Sequence, residues 1–140
     1  MATPPIEDII ENFEFLDEWD DRYRYVIELG KILEPLPEEA HNTENKVEGC
    51  VSQVWLTCEE DASGNQKLHF KGDSDAHIVR GLVAIALAAA NDKTPEDILA
   101  TDMKGIMSAI GLEEHLTPQR ANGLQAMIGR IRAHAEAHLQ

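Results

Sequence analysis

Val51-Ser52-Gln53-Val54-Trp55-Leu56-Thr57-Cys58-Glu59, then Asp61-Ala62-Ser63-Gly64-Asn65, then Gln66-Lys67-Leu68-His69-Phe70-Lys71 read in succession as strand, turn and strand. The first run is rich in β-branched and aromatic residues, Gly64 and Asn65 supply a reversal, and the second run alternates again. The segment therefore predicts an antiparallel hairpin. Lys46 and Val47 add a third strand ahead of Gly49. On both sides of the hairpin the apolar period changes to that of a helix. Ile6, Ile9, Ile10, Phe13 and Leu16 recur at helical spacing behind Pro4 and Pro5, with Glu7 and Asp8 in the first turn. Tyr23, Val26, Ile27, Gly30 and Leu33 share one face of a second helix, which stops before Pro35-Leu36-Pro37. After a turn at Gly72 to Asp75, Ser74 or Asp75 is expected to cap a helix carrying Ile78, Val79, Leu82, Val83, Ala86 and Leu87. Thr94-Pro95 and Thr117-Pro118 are each an N-cap followed by proline at the first helical position. Met103, Ile106, Met107 and Ile110 form a short helix ended by Gly111. Leu124, Met127, Ile128, Ile131 and Ala135 belong to a last helix long enough to buttress a sheet. Strands grouped in the middle and helices outside them predict an α+β fold with a small antiparallel sheet of about three strands, not an alternating βαβ one.

Composition narrows the function classes. The 140 residues carry 26 acidic against 12 basic side chains, a formal net charge of -14. Such a surface repels phosphate backbones and anionic lipid, so no nucleic-acid and no membrane partner is expected. Solubility is the bland account of the charge. The chain is long enough for one domain, 1–140, with its own hydrophobic core. Its longest apolar run, Leu82 to Ala90, is too short to span a bilayer. The N-terminal residues have neither the basic nor the apolar region of a signal peptide. Together these features predict a cytoplasmic protein.

Upstream of the hairpin, Asn45-Lys46-Val47-Glu48-Gly49-Cys50 places a cysteine directly after a glycine, where a loop feeds a strand. Gly49 reaches backbone angles closed to other residues and has no side chain to shield its neighbour. A thiol held there can be presented to a partner. Equally, a free cysteine is often a small buried hydrophobe, and the residues alone leave both readings open. If Cys50 to Cys58 is largely extended, their Cα atoms lie about 26 Å apart at ~3.3 Å per residue. A disulfide needs roughly 6 Å. The spacing is not C-x-x-C, so neither a thioredoxin-type site nor a zinc knuckle is indicated. Cys58 reads as a packing or edge residue. The six histidines form no metal spacing with either cysteine. His134 and His138 stand four apart on a helix, but near its end they read as solvated surface residues. Asp73 and Asp75 look like a carboxylate pair whose default role is capping. Arg120 sits in the first turn of its helix, where a cation opposes the macrodipole. It is either a functional residue or the partner of Asp73, Asp75 or Glu114 in a salt bridge.

Three separated segments, in order along nearly the whole chain, also match a known pattern. They are Asn45-Lys46-Val47 running into Gly49-Cys50 and Val54-Trp55, Gly72-Asp73-Ser74-Asp75-Ala76 with Ile78-Val79-Arg80-Gly81-Leu82, and His115-Leu116-Thr117-Pro118-Gln119-Arg120 with Asn122-Gly123-Leu124. The chain thereby resembles the SufE-like sulfur acceptors, partners of cysteine desulfurases in iron–sulfur cluster assembly. The resemblance implies a SufE/IscU-like fold and an accessory sulfurtransferase rather than a stand-alone enzyme. In that role Cys50 takes persulfide sulfur from a SufS-like, pyridoxal-phosphate cysteine desulfurase and delivers it to a SufBCD-like iron–sulfur scaffold. Gly49, Asp73, Asp75 and Arg120 would support Cys50 or the partner surface. No cofactor and no metal belong to the chain itself, because the desulfurase owns the pyridoxal phosphate. The thiol chemistry is compatible. A cysteine near pKa ~8.5 is only a few per cent ionised at neutral pH, and Lys46 helps ionisation while Glu48 opposes it. A weakly activated thiol makes a poor enzyme but a workable acceptor. The alternative is an iron–sulfur cluster or metal-binding scaffold, which needs several thiolates or mixed ligands.

Overall fold

The computed structural model describes residues 4–48, 53–60, 66–111 and 116–139. Within them β1 (Val54–Glu60) pairs antiparallel with β2 (Leu68–Ser74), from Val54 opposite Ser74 to Glu60 opposite Leu68. The pleat sorts the side chains. Val54, Leu56 and Cys58 share one face with Leu68, Phe70, Gly72 and Ser74, and this face turns toward the core. Trp55, Thr57 and Glu59 share the other with His69, Lys71 and Asp73.

The helices are α1 (Ile6–Glu14), α2 (Trp19–Lys31), α3 (His77–Ala90), α4 (Pro95–Ala100), α5 (Met103–Ile110) and α6 (Pro118–Ala137). Thr94, Asp102 and Thr117 each accept a backbone N–H with the side chain and so cap α4, α5 and α6. Gly111 closes α5 in the left-handed region, at φ 79°. Apolar nearly all round, α3 is buried over most of its surface, packed against β2 and α2. Two glycines set the distance between α2 and α3. A Cβ on Gly81 would collide with the Val26 carbonyl, and one on Gly30 would lie 2.8 Å from the Gly81 nitrogen. The inner face of the sheet comes equally near to α3, because a Cβ on Gly72 would stand 2.8 Å from Val83.

Each edge of the two-stranded ladder is covered in part. Asn91 imitates a strand residue with its amide side chain, accepting from the Phe70 N–H at 2.6 Å and donating to the Phe70 carbonyl at 3.2 Å. The Leu68 N–H continues this pairing to the Lys93 carbonyl, at 2.9 Å. On the opposite edge the Val47 N–H donates to Val54 and the Leu56 N–H to Asn45, both at 2.8 Å. The covered stretches, Val54 to Leu56 on one edge and Leu68 to Phe70 on the other, are not available as a template to a neighbouring chain.

Several sequence expectations need correction. The third strand is a single bridge, Lys46 to Trp55, because the chain comes out of a side-chain-bonded turn at Asn42–Asn45 and aligns for only two ladder bonds. The segment from Gly72 to Ser74 is the last part of β2 and not a turn; Gly72 is there for close packing on α3. The first residue before α3 is Ala76, and no side chain caps the helix. Ser74 Oγ instead accepts from the Ala76 N–H, and the Asp75 carboxylate faces β1. His134 is half-buried against Phe70 rather than solvated, with ring centroids 6.1 Å apart. The hairpin turn expected over 61–65 lies outside the described residues.

Candidate functional site

Cys50 and Gly49 also lie outside the described residues, as do Val51 and Ser52. What the fold fixes is where the chain departs toward them and where it returns. Departure is at Val47, whose N–H bonds the Val54 carbonyl. Just upstream, the Arg130 guanidinium reaches from α6 and donates to the carbonyls of Glu44 at 2.6 Å and Lys46 at 3.2 Å. Return is at Gln53, whose N–H donates to Asp75 Oδ1 at 3.0 Å. The Asp75 N–H answers to the Gln53 carbonyl at 3.3 Å. Both ends of the Cys50 segment are therefore anchored by residues far away in sequence.

A strap formed by residues 34–47 lies on the outer face of the sheet and ends at the departure point. It begins at Glu34, which meets His69 at 2.8 Å and Lys71 at 3.8 Å. A short 3-10 turn, Glu38–Ala40, carries it to His41. There the imidazole Nε2 lies 2.8 Å from Asp73 Oδ2, and the ring stands edge-on to Trp55 with centroids 4.7 Å apart. The other oxygen of Asp73 accepts from the Ser74 N–H at 2.8 Å and lies 3.0 Å from Arg80 Nε. That arginine contact is an ion pair only, since the Nε–H is not aimed along it. The Asp73 hydrogen bond raises the pKa of His41 above its usual 6.5. Burial opposes the rise, and the Glu38 and Pro37 carbonyls and the Asp73 charge add to it.

Cys58 occupies a different environment. It is half-buried on the inner face of β1, and burial pushes its thiol from 9.0 to about 11, with Glu59 and Glu60 adding to the shift. A thiol so protonated is inert as a nucleophile at neutral pH.

The expected site residues separate into groups. Asp73 and Asp75 both stand beside the anchored ends, Asp73 through Trp55 and His41, Asp75 through Gln53. Arg120 is not brought to either of them. It is half-buried at the start of α6, its N–H donates to Thr117 Oγ at 3.3 Å, and among the described residues its side chain forms no ion pair. The salt bridge expected with Asp73 or Asp75 is not formed, Asp73 pairing instead with His41 and Arg80 and Asp75 accepting from Gln53; Glu114 lies outside the described residues. Among the described residues no group of three or more histidines, cysteines and carboxylates is arranged to hold a metal ion, and no helix is long and apolar enough to cross a membrane.

Three contributors escaped the sequence reading. Arg80 lay within a quoted motif but without a role. His41 is one of the six histidines whose spacing indicates no metal site, and nothing else in the sequence marks it. For Arg130 no local signal exists, because its partners are more than eighty residues away.

Comparison with known proteins agrees with the architecture. The model of the SufE family, described as an Fe-S metabolism associated domain, matches residues 7–135. An uncharacterized SufE-like protein of Rhizobium meliloti (strain 1021) is 55% identical over 137 residues, covering 96% of each chain. Another, from Rhizobium etli, is 54% identical over 132 residues, 94% of this chain and 89% of its own. In solved structures, the solution structure of a hypothetical protein from Thermus thermophilus superimposes with a TM-score of 0.76 over 99% of this chain and 98% of that one. At 21% identity it speaks for the fold alone.

Proposed function

We propose, from the premise that this chain belongs to the SufE family of Fe–S metabolism, that it is a sulfur acceptor whose reactive group is Cys50. The Cys50 thiolate attacks the outer sulfur of a persulfide on a cysteine desulfurase. A bond forms between Cys50 Sγ and that sulfur. The sulfur–sulfur bond of the donor breaks, and its electron pair leaves on the donor's cysteine thiolate. No net oxidation occurs, and the proton that Cys50 gives up is available to the departing thiolate. The persulfide on Cys50 then delivers its outer sulfur to an iron–sulfur scaffold by a second displacement of the same kind. We take the donor to be a SufS-like enzyme, the receiver a SufBCD-like complex and the compartment the cytoplasm, and the whole chain, 1–140, to act as one domain.

The observation that carries this reading is the double anchoring of the segment around Cys50, by Arg130 and Val54 on one side and by Asp75 on the other. A carrier must offer its sulfur to a thiol inside another protein. Fixed departure and return points lower the number of conformations to be restricted when the two dock. Gly49 gives the attacking thiol room, Asp73 and Asp75 hold the surroundings, and Arg120 acts on the partner surface. Cys58, half-buried and with its thiol pushed up to about 11, is the wrong thiol for the task.

The decisive experiment is mass spectrometry after incubation with a cysteine desulfurase and cysteine. One added sulfur atom is expected on the peptide containing Cys50. Cys50→Ser should lose both the added mass and the stimulation of the desulfurase, whereas Cys58→Ser should keep them. Sulfur on Cys58, or equal behaviour of the two variants, would overturn the assignment. Arg120→Ala should weaken stimulation with little change in melting temperature.

A further inference from the structure

We propose that His41 is a positioning residue: as an imidazolium tied to Asp73 and packed on Trp55, it pins the strap from which the Cys50 segment departs. The inference rests on the sulfur-acceptor reading for its biological use, though not for its geometry.

Among the described residues, both ring nitrogens face acceptors only. Nε2 lies 2.8 Å from Asp73 Oδ2, while Nδ1 lies 3.0 Å from the Pro37 carbonyl and 3.2 Å from that of Glu38. A neutral imidazole has one protonated nitrogen, so either tautomer would set a bare lone pair against an oxygen. Only the doubly protonated ring satisfies every contact. The imidazole is thus a cationic rivet through the strap. It closes the 3-10 turn on one side and grips the sheet on the other.

Asp73 is a firm anchor for that rivet. Its second oxygen is bonded by the Ser74 N–H and held beside Arg80, and both carboxylate and imidazole are only 23% exposed. The charged groups around His41 are Asp73 of β2, Arg80 of α3 behind the same carboxylate, and Glu38 and Glu39 on its own turn. Facing it from β1 is the uncharged Trp55, whose bridge partner is Lys46. Among the described residues, the other side-chain bonds of residues 38–43 stay within the strap: Asn42 to Glu39, Asn45 to Asn42 and Asn45 to Ala40. His41 is therefore what fixes this stretch to the body of the protein before Arg130 takes over at Glu44 and Lys46.

A pH dependence follows. The folded-state pKa of His41 is raised above 6.5, so the tie is fully present below 6.5 and is lost as pH rises through the folded value. Sulfur acceptance should then show a pH step that does not belong to the Cys50 thiol.

The test uses the full chain in three measurements across this pH range: sulfur acceptance by Cys50 from a desulfurase, alkylation of Cys50 by iodoacetamide, and hydrogen exchange of the amides of residues 45–47. The His41 ring protons are followed by NMR to locate its pKa. In the native protein, exchange at 45–47, taken relative to the intrinsic amide rate at each pH, should accelerate about two- to tenfold as His41 deprotonates, the factor belonging to one net hydrogen bond. His41→Ala should show the faster exchange at every pH, with no step. His41→Gln, which keeps a donor but cannot titrate, should restore part of the protection and also lack the step. A wild-type step that survives in both variants, or exchange at 45–47 unchanged in both, would overturn the proposal. Exchange and alkylation need no desulfurase. Failure of Cys50 to accept sulfur would thus discard the acceptor reading and leave the positioning role to be judged separately.

Discussion

Gln53 and Asp75 bond each other twice, the Gln53 N–H to the Asp75 carboxylate at 3.0 Å and the Asp75 N–H to the Gln53 carbonyl at 3.3 Å. The pairing extends the β1–β2 ladder by one step beyond Val54 and Ser74, with a side chain taking part in place of backbone. It fixes the chain three residues after Cys50 to the junction of β2 and α3.

Asp75→Ala removes the carboxylate bond and leaves the backbone one. Because Asp75 is exposed, the cost in global stability is expected to be small, about 1 kcal/mol or less. The local effect should be larger. Iodoacetamide should modify Cys50 faster in Asp75→Ala than in the native protein, while the melting temperature changes little. Unchanged Cys50 reactivity would show that the return anchor does not govern the segment.

Gly81→Ala tests the contact that places Arg80, and through it Asp73. A Cβ at this position runs into the Val26 carbonyl, which is backbone and cannot swing away. The α2 and α3 helices would have to separate. Overpacking of this kind costs about 1–3 kcal/mol, and backbone against backbone belongs at the upper end. Thermal unfolding should show a drop of roughly 5–10 °C for a chain of this size. A change within a degree or two would mean that the helices separate at little cost.

These two sites show what was legible in the sequence. The start of α4, marked by Thr-Pro, and α6, marked by Thr-Pro and an apolar period, are evident because their signals are local. The Gly72-Asp73-Ser74-Asp75 run was not, since a glycine that packs against Val83 inside a strand looks the same in sequence as a glycine that makes a turn. Asp73 and Asp75 stand out in the sequence as a carboxylate pair with capping as the default role, whereas in the fold neither caps α3. The capping rule considers only neighbours along the chain, whereas His41 and Gln53 arrive across the sheet. Arg120 drew attention because it opposes its helix dipole, but Arg130, one helix face further on, makes the long-range bonds. Family membership, by contrast, was legible in full, because motif order survives without any knowledge of contacts.

The two thiols should differ in reactivity in a way that does not depend on the sulfur-transfer reading. Cys58 is pushed from 9.0 to about 11 by burial, so at mildly alkaline pH the native protein holds about a hundredfold less Cys58 thiolate than the unfolded chain. Alkylation of Cys58, followed by peptide mass spectrometry, should be slower in the native state by at least that factor and should recover in denaturant. Rapid native labelling of Cys58 would contradict the inner-face position of its side chain.

His134 supplies a stability dependence opposite in sign to that of His41. Its Nε2 is buried and has no hydrogen-bond partner among the described residues, and its ring packs on Phe70. Burial first, then the charges of Arg130 and His138, lowers its pKa below 6.5. The unfolded chain therefore takes up a proton at higher pH than the folded one does. This site leaves stability intact above 6.5, erodes it as pH falls from there toward the folded value, and adds no further loss below that. His134→Leu, which keeps an apolar side chain against Phe70 and removes the titrating group, should flatten the acid side of the stability profile measured by chemical denaturation. It should leave the alkaline side, where His41 loses its proton, unchanged. An acid limb as steep in His134→Leu as in the native protein would locate the acid sensitivity at another group.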